Sequence, residues 1–417
     1  MEQTSENVLR VTRRAADRLR AGHLWVYRTD MEGAVAGLEA GALVTVADGR
    51  GIPLGSALYS DASQIAARMI SSKAGMTRAQ YLVELRMRVD AALARRRVLA
   101  PVTEGDNAHR LIFSEADALP GIVADRYNDL VLLQLLTQGT AQDDVRAVLV
   151  EALREAFAGA ELTVWERPDV RMRELEQLAA PAPGPLFTSW EARSTTEFRL
   201  NGLRFEYDAG AGQKTGAFLD QRLNYAAAAR WVGESGRVGK ALDVCTYQGG
   251  FALHLAQVCE RVTGVDASRA ALEAADRNLE RNPGLKAETD WMEADAFELM
   301  RAYDDAAKTD ATRRFDAIVL DPPAFAKSKR AAEGALRGYK ELNLRAMRLL
   351  HEGGTLVTCS CSHHVSLSDF TDVVTAASND AGRRVQLLET RAAAPDHPEV
   401  LTLAETRYLK CLVLRLD

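Results

Sequence analysis

Four aspartates and two cysteines in the C-terminal half have the types and spacing to do chemistry together. Asp243, Asp266, Asp295 and Asp321 each stand where an apolar run gives way to a turn, and Cys359 and Cys361 follow another such run. After Asp243 comes Val244-Cys245-Thr246-Tyr247-Gln248-Gly249-Gly250-Phe251, whose two glycines let the backbone pass close to a ligand. This is not G-x-G-x-x-G, so a dinucleotide fingerprint is only partly met. Asp266 lies about 20 residues on, where an acidic side chain accepts both hydroxyls of a ribose. Asp295, in Glu293-Ala294-Asp295-Ala296-Phe297, is placed to meet an adenine edge, with Phe297 available for packing. Asp321 opens Asp321-Pro322-Pro323-Ala324-Phe325, in which the prolines stiffen the loop and hold the acid in one pose. Any one of these acids alone reads as a helix cap or a turn residue. Four in order at successive strand ends point to a single site.

Two other patterns are set aside. Gln213-Lys214-Thr215-Gly216 has Gln where a phosphate loop needs Gly before its Lys, which argues against ATP. Cys359, Cys361, His363 and His364 have no second ligand pair nearby, which argues against zinc; a one-residue spacing near a strand end is expected to point both thiols the same way.

The elements that must position these residues follow from periodicity. From Ala241 to Cys359 apolar strands alternate with helical stretches, with strands at Ala241–Cys245, Val262–Asp266, Ala317–Asp321 and Thr355–Cys359. That is the pattern of a parallel sheet with crossover helices, which binds ligands at the carboxyl ends of its strands. The first 70 or so residues hold short apolar runs broken by glycine, a small β-rich module. A helical stripe of Tyr81, Leu82, Leu85, Val89 and Leu93 runs from Arg78 to Leu99. Strand, turn and strand follow over 109–137, then a helix near Gln142–Phe157. Pro168 and Pro181-Ala182-Pro183-Gly184-Pro185 put a boundary near 190.

At 417 residues the chain exceeds a single core, so two or three domains are expected. The net charge is -6, yet residues 1–100 carry 15 basic against 10 acidic side chains and the rest 37 against 48. A basic front end before an acidic body suits an anionic partner at the front. Arg10, Arg13, Arg14, Arg18 and Arg28 are the candidate phosphate contacts. The Arg-rich start lacks the apolar core of a signal peptide and no run reaches membrane-span length, so a cytoplasmic protein with no membrane partner is expected. Five cysteines, an odd and sparse set, imply reduced thiols.

Across essentially its whole length the chain resembles the bacterial large-subunit (23S) ribosomal RNA cytosine-C5 methyltransferases that carry an N-terminal PUA domain. The resemblance is carried by Gly22-His23-Leu24-Trp25-Val26-Tyr27, Ser63-Gln64-Ile65-Ala66-Ala67-Arg68, Phe113-Ser114-Glu115-Ala116-Asp117-Ala118-Leu119-Pro120-Gly121, Lys214-Thr215-Gly216-Ala217-Phe218-Leu219-Asp220-Gln221-Arg222, Asp321-Pro322-Pro323 and Cys359-Ser360-Cys361-Ser362. Leu24 departs from it, since the family usually has Pro there. The resemblance implies an α/β chain of three units: a β-rich PUA domain (1–72), a small α+β domain of EEHEE type (73–190) and a Rossmann-like class I methyltransferase (191–417). It implies S-adenosylmethionine as cofactor, large-subunit ribosomal RNA as partner and, in many relatives, a homodimer. By the same carry-over Lys214, Thr215, Gly216, Phe218, Asp220 and Arg222 belong to a segment folding over the cofactor. Asp243 and Gly249, with Tyr247 and Phe251 beside them, border the methionine moiety; Asp266 meets the ribose and Asp295 the adenine.

Methylating C5 of cytosine needs a thiolate that adds at C6, because C5 alone is a poor nucleophile. The resemblance aligns Cys361 with that nucleophile, while Cys359, which also follows a Thr, is the second candidate. Asp321 is expected to hydrogen-bond the ring nitrogen or amino group as charge builds on the ring. A base in a duplex must be flipped out, and Phe325 or Lys327 are the residues at hand to hold it. Two other readings remain: amino-group or ring-nitrogen methylation, since Asp-Pro-Pro followed by an aromatic also occurs in N-methyltransferases, and a non-catalytic RNA-binding assembly factor that keeps the cofactor fold.

Overall fold

The computed structural model describes residues 7–33, 37–210, 216–325 and 332–417. The N-terminal unit is a five-stranded sheet of β1 (Val8–Val11), β2 (Trp25–Tyr27), β3 (Leu43–Asp48), β4 (Pro53–Tyr59) and β5 (Ile65–Ser71), ordered β1-β3-β4-β5-β2, with α1 (Arg13–Arg20) after β1. Thr12 caps α1 by accepting from Ala15 N. Ala15 and Ala16 bring the helix close to Val26, Val44, Val46 and Ala57 in one small core. Leu24 packs against that core and its carbonyl accepts from Met69 N, so the departure at this position costs no backbone bond.

The helix α2 (Arg78–Leu99) leads out, opened by a capping box between Thr77 and Gln80. It packs on a second sheet of β6 (Ala108–Phe113), β7 (Ile122–Tyr127), β8 (Leu130–Leu135), β9 (Thr163–Glu166) and β10 (Phe187–Thr188), with α3 (Asp143–Ala156) crossing between β8 and β9 and α4 (Val170–Glu176) between β9 and β10. Three strands thus precede the crossover helix, one more than the EEHEE label describes. Period-2 alternation explains how the sheet is covered on both faces: Val131, Leu133 and Leu135 face α2 and α3, while Leu130 and Leu132 face a hairpin of β11 (Thr195–Leu200) and β12 (Leu203–Asp208). Phe198 and Phe205 of that hairpin stack at 5.6 Å.

The C-terminal sheet contains β13 (Lys240–Val244), β14 (Arg261–Asp266), β15 (Glu288–Glu293), β16 (Phe315–Leu320), β17 (Leu350–Ser360), β18 (Val385–Arg391) and β19 (Lys410–Leu416). Its order is β15-β14-β13-β16-β17-β19-β18, parallel except for β19, which is antiparallel to both neighbours. Alternate residues go to opposite layers: Ala241, Ala317, Val357 and Val413 meet α5 (Arg222–Ser235) and α6 (Gly250–Leu255), whereas Leu242, Ile318, Leu356 and Leu412 meet α8 (Ala296–Ala307), α9 (Ala332–Leu349) and α10 (Leu367–Ala381). The remaining helix, α7 (Arg269–Glu280), lies against β14 and β15. Each fully buried Val or Leu in these layers contributes roughly 1.5–3 kcal/mol. The chain order reverses beside β13, and the crevice at such a switch point is where a doubly wound sheet binds its ligand.

Candidate active site

The loop after β13 is strained on purpose. Cys245, Tyr247 and Gly249 all have left-handed backbone (φ 66, 51 and 83), a clustering typical of ligand sites. Asp243 holds it in place: one carboxylate oxygen accepts from Thr246 Oγ1 (2.6 Å) and from Ala252 N (2.9 Å) at the start of α6. Burial pushes this carboxyl up to about 7. Asp266, the last residue of β14, reaches across to accept from Tyr247 N and, through its other oxygen, from Ser268 N, both at 2.9 Å.

These elements enclose a cavity of about 400 Å³ at the carboxyl ends of β13, β14 and β16. Of the residues read from sequence, it brings together Phe218, Asp220, Tyr247, Asp266, Asp295, Asp321 and Cys361, with Phe297 and Phe325. Phe251 lines a smaller recess next to it, which shares Phe218, Tyr247 and Asp321. Four more residues reach neither space. Asp243 is wholly buried beneath the loop it holds. Gly249 is turned toward Trp291, where a Cβ would sit 3.1 Å from the ring, so its role is the φ of 83 that starts α6. Gly216 lies against Tyr207, whose ring a Cβ would meet at 2.5 Å. Arg222 is buried in an ion pair with Asp396 at 2.9 Å. Lys214, Thr215 and Lys327 lie outside the described residues.

The two cysteines separate. Residues two apart on a strand share a face, but β17 ends at Ser360, and Cys361 leaves the pleat. Cys359 is fully buried opposite Cys411 on β19, whereas Cys361 lines the cavity with its thiol 3.8 Å from the Pro322 carbonyl. The expectation that both thiols point alike is therefore corrected. Among the described residues no cluster of side chains is arranged to hold a metal ion.

Asp321 stands beside Cys361 on this wall and is pushed up to about 8, first by burial and then by Asp220 and Asp243, with Gln221 Nε2 donating to it at 3.0 Å. Burial, Asp321 and Asp220 raise the Cys361 thiol to about 12. Lys410 opposes this. Its ammonium, itself lowered to about 8 by burial, donates to the carbonyls of Ser362 and Tyr408 at 2.7 Å each. Tyr408 in turn donates to Asp220 at 2.6 Å. Gln221, Tyr408, Leu409 and Lys410 were not singled out from sequence. Gln221 lies within the Lys214–Arg222 stretch with nothing local to mark it, and the other three come from the far end of the chain with no local signal.

The cavity wall carries four acidic side chains, Asp220, Asp266, Asp295 and the neutral Asp321, and among the described residues no Lys, Arg or His. That donor set repels phosphate and suits a ligand bearing a sulfonium and an ammonium, with an acid at a strand end for a ribose and Val265, Ala294 and Phe297 around an apolar slot. The residues present fit S-adenosylmethionine.

Comparison with known proteins agrees. Residues 9–72 match the model of a PUA-like domain, and residues 117–415 that of an S-adenosylmethionine-dependent methyltransferase. Ribosomal RNA large subunit methyltransferase I of Escherichia coli (strain SMS-3-5 / SECEC) is 36% identical over 398 residues, covering 94% of this chain and 95% of that protein. The protein of the same name from Klebsiella pneumoniae (strain 342) is 33% identical over 406 residues, covering 94% of each. A solved S-adenosylmethionine-dependent methyltransferase from Streptococcus mutans superposes with a TM-score of 0.77 at 20% identity, over 98% of this chain and 99% of its own, and so shares the fold. A further solved methyltransferase, complexed with SAH, gives 0.78 at 21% identity over the same shares. With a cavity suited to S-adenosylmethionine on a fold of this order, the chain belongs to the S-adenosylmethionine-dependent methyltransferases, in the family of the ribosomal RNA large subunit methyltransferase I proteins.

Proposed function

We propose that this enzyme methylates C5 of a cytosine in large-subunit ribosomal RNA through a covalent adduct on Cys361, and that it acts in the cytoplasm. The observation that carries the reading is the juxtaposition of the Cys361 thiol with Asp321 in a cavity suited to a cationic methyl donor, which Cys245 also lines from the loop after β13. The relatives' names supply the RNA class. We assign residues 1–72 and 73–190 to RNA engagement and 191–417 to catalysis, in keeping with one large sheet in each and the β11–β12 hairpin as a fourth, two-stranded sheet.

In this mechanism Asp266 and Asp295 hold the nucleoside end of the cofactor, and Phe218 and Tyr247 cover the methionine end. S-adenosylmethionine, when bound, supplies the electrophilic methyl group that C5 accepts. Ionised Cys361 forms a bond to C6 of the flipped cytosine. The displaced π electrons move toward C4 and N3, where Asp321, held neutral by its raised pKa, donates a proton. C5 thereby gains the electron density it lacked. After methylation the C5 proton passes to solvent water, the C6–S bond breaks, and the thiolate leaves as the C5=C6 bond reforms. Asp321 takes back the N3 proton.

The test is methyl transfer from labelled S-adenosylmethionine to ribosomal RNA from cells lacking this protein, with nucleoside analysis. Label in 5-methylcytosine, lost in Cys361→Ala and kept in Cys359→Ala, is expected. Label in another nucleoside would put amino-group or ring-nitrogen methylation in its place, and bound cofactor with no transfer would favour an assembly factor.

A further inference from the structure

On the far side of Tyr408 from the catalytic cavity lies a second cleft, of about 320 Å³. All three parts of the chain wall it: Trp25 from the edge strand β2, the Phe113–Ala116 stretch after β6, and His363 with the 403–408 turn from the catalytic unit. Tyr408 lines both spaces. Its hydroxyl is committed to Asp220 on the catalytic side, while its ring lies 5.5 Å from His363 and 6.3 Å from Phe113 on the other. Glu115 is already neutralised within the wall, by Arg68 at 2.6 Å and the Trp25 indole N–H at 2.8 Å. His23 and Tyr27 flank Trp25 at 5.9 and 6.3 Å, extending the aromatic surface at and just before β2.

We propose that this cleft holds the RNA nucleotide adjoining the target base, stacked against the Trp25, Phe113, His363 and Tyr408 rings. The inference rests on the RNA reading above. Extruding a base into the cavity at Cys361 leaves its neighbour without a stacking partner. The two are joined by a single phosphodiester, so the neighbour's site must share a wall with the target's, and one tyrosine ring thick is such a wall. Aromatic faces accept any base. The half-buried Glu405 carboxylate adds a preference for a neighbour with an exocyclic amino group, which uracil lacks.

Ala116→Trp fills the cleft from a position outside the catalytic cavity, and His363→Ala removes one ring. The measurement is filter binding of a large-subunit ribosomal RNA transcript with S-adenosylhomocysteine present, alongside the KM for RNA in methyl transfer. Each variant is expected to weaken RNA binding about 5- to 150-fold, the range for one lost base stack, with affinity for S-adenosylhomocysteine unchanged. An abasic nucleotide beside the mapped target should cost wild type a similar factor and cost Ala116→Trp little more. Wild-type RNA affinity in both variants overturns the proposal, as does an equal loss of RNA and S-adenosylhomocysteine affinity in both. Because binding is read without the product, label in a nucleoside other than 5-methylcytosine would refute the chemistry above and leave the cleft to be judged on its own.

Discussion

At Asp321 stability and function oppose each other. Its folded pKa is raised to about 8 by burial, so its contribution to stability is present below the unfolded value near 3.9 and is lost as pH rises through about 8. Asp321→Asn should therefore melt higher than wild type above pH 8, by at least roughly 2 °C, with the advantage vanishing near pH 4. Thermal melting across that range tests the sign. The same variant should lose about 100- to 1,000-fold in kcat, because the group that follows charge onto the cytosine ring is gone. Lys410 acts on the neighbouring thiol through charge. Lys410→Met should move the alkaline rise of the pH–rate profile upward, lowering the rate at neutral pH about tenfold per unit of thiol pKa, with KM for S-adenosylmethionine unmoved. An unshifted profile would remove Lys410 from the thiol's environment.

In the proposed reading the cofactor side rests on the loop between β13 and α6. Its three left-handed residues are held by hydrogen bonds from Thr246, Tyr247 and Ala252 to two carboxylates, Asp243 and Asp266. Gly249→Ala would place a side chain in left-handed backbone against Trp291, at a cost of about 1–2 kcal/mol from the backbone alone. We expect weaker S-adenosylmethionine binding by calorimetry, with RNA affinity preserved; equal loss of both would mean that the loop is not the element affected. This loop was legible as glycine-rich, yet its geometry was not, since Cys245 and Tyr247 carry no signature of positive φ. Elsewhere the apolar runs of β13, β14, β16 and β17 were readable because both faces of a central strand are buried. The edge strands β15 and β18 alternate with solvent and offer no such run, whereas the hairpin of β11 and β12 went unread although Asn201-Gly202, left-handed at both residues, is a strong hairpin-turn signal between alternating runs.

The units are joined by buried charge. Asp396, in the segment before β19, accepts from Arg222 at 2.9 Å and from Arg110 N at 2.8 Å, while its carbonyl accepts from Arg96, which is paired with Asp117. Asp396→Ala keeps the carbonyl but leaves Arg222 and the Arg110 amide unmatched between the central and catalytic units, and should destabilise by about 3–5 kcal/mol, seen as a lower urea midpoint. The same packing revises the basic front end. Arg18 is spent on Asp30 and Arg28 donates to the Ser60 carbonyl, whereas Arg10 and Arg14 remain exposed. Linear order alone determined the chemistry-bearing set of acids and cysteines, the family and the alternation of strand and helix, because burial imposes a period on sequence and strand ends carry ligands. Only tertiary structure put Cys361 at the cavity wall and Cys359 in the core, removed Asp243 and Arg222 from the cavity, and brought Tyr408 to it with Lys410 behind. Those choices depend on where a strand leaves its pleat and on contacts between residues more than 150 positions apart, which no local pattern encodes.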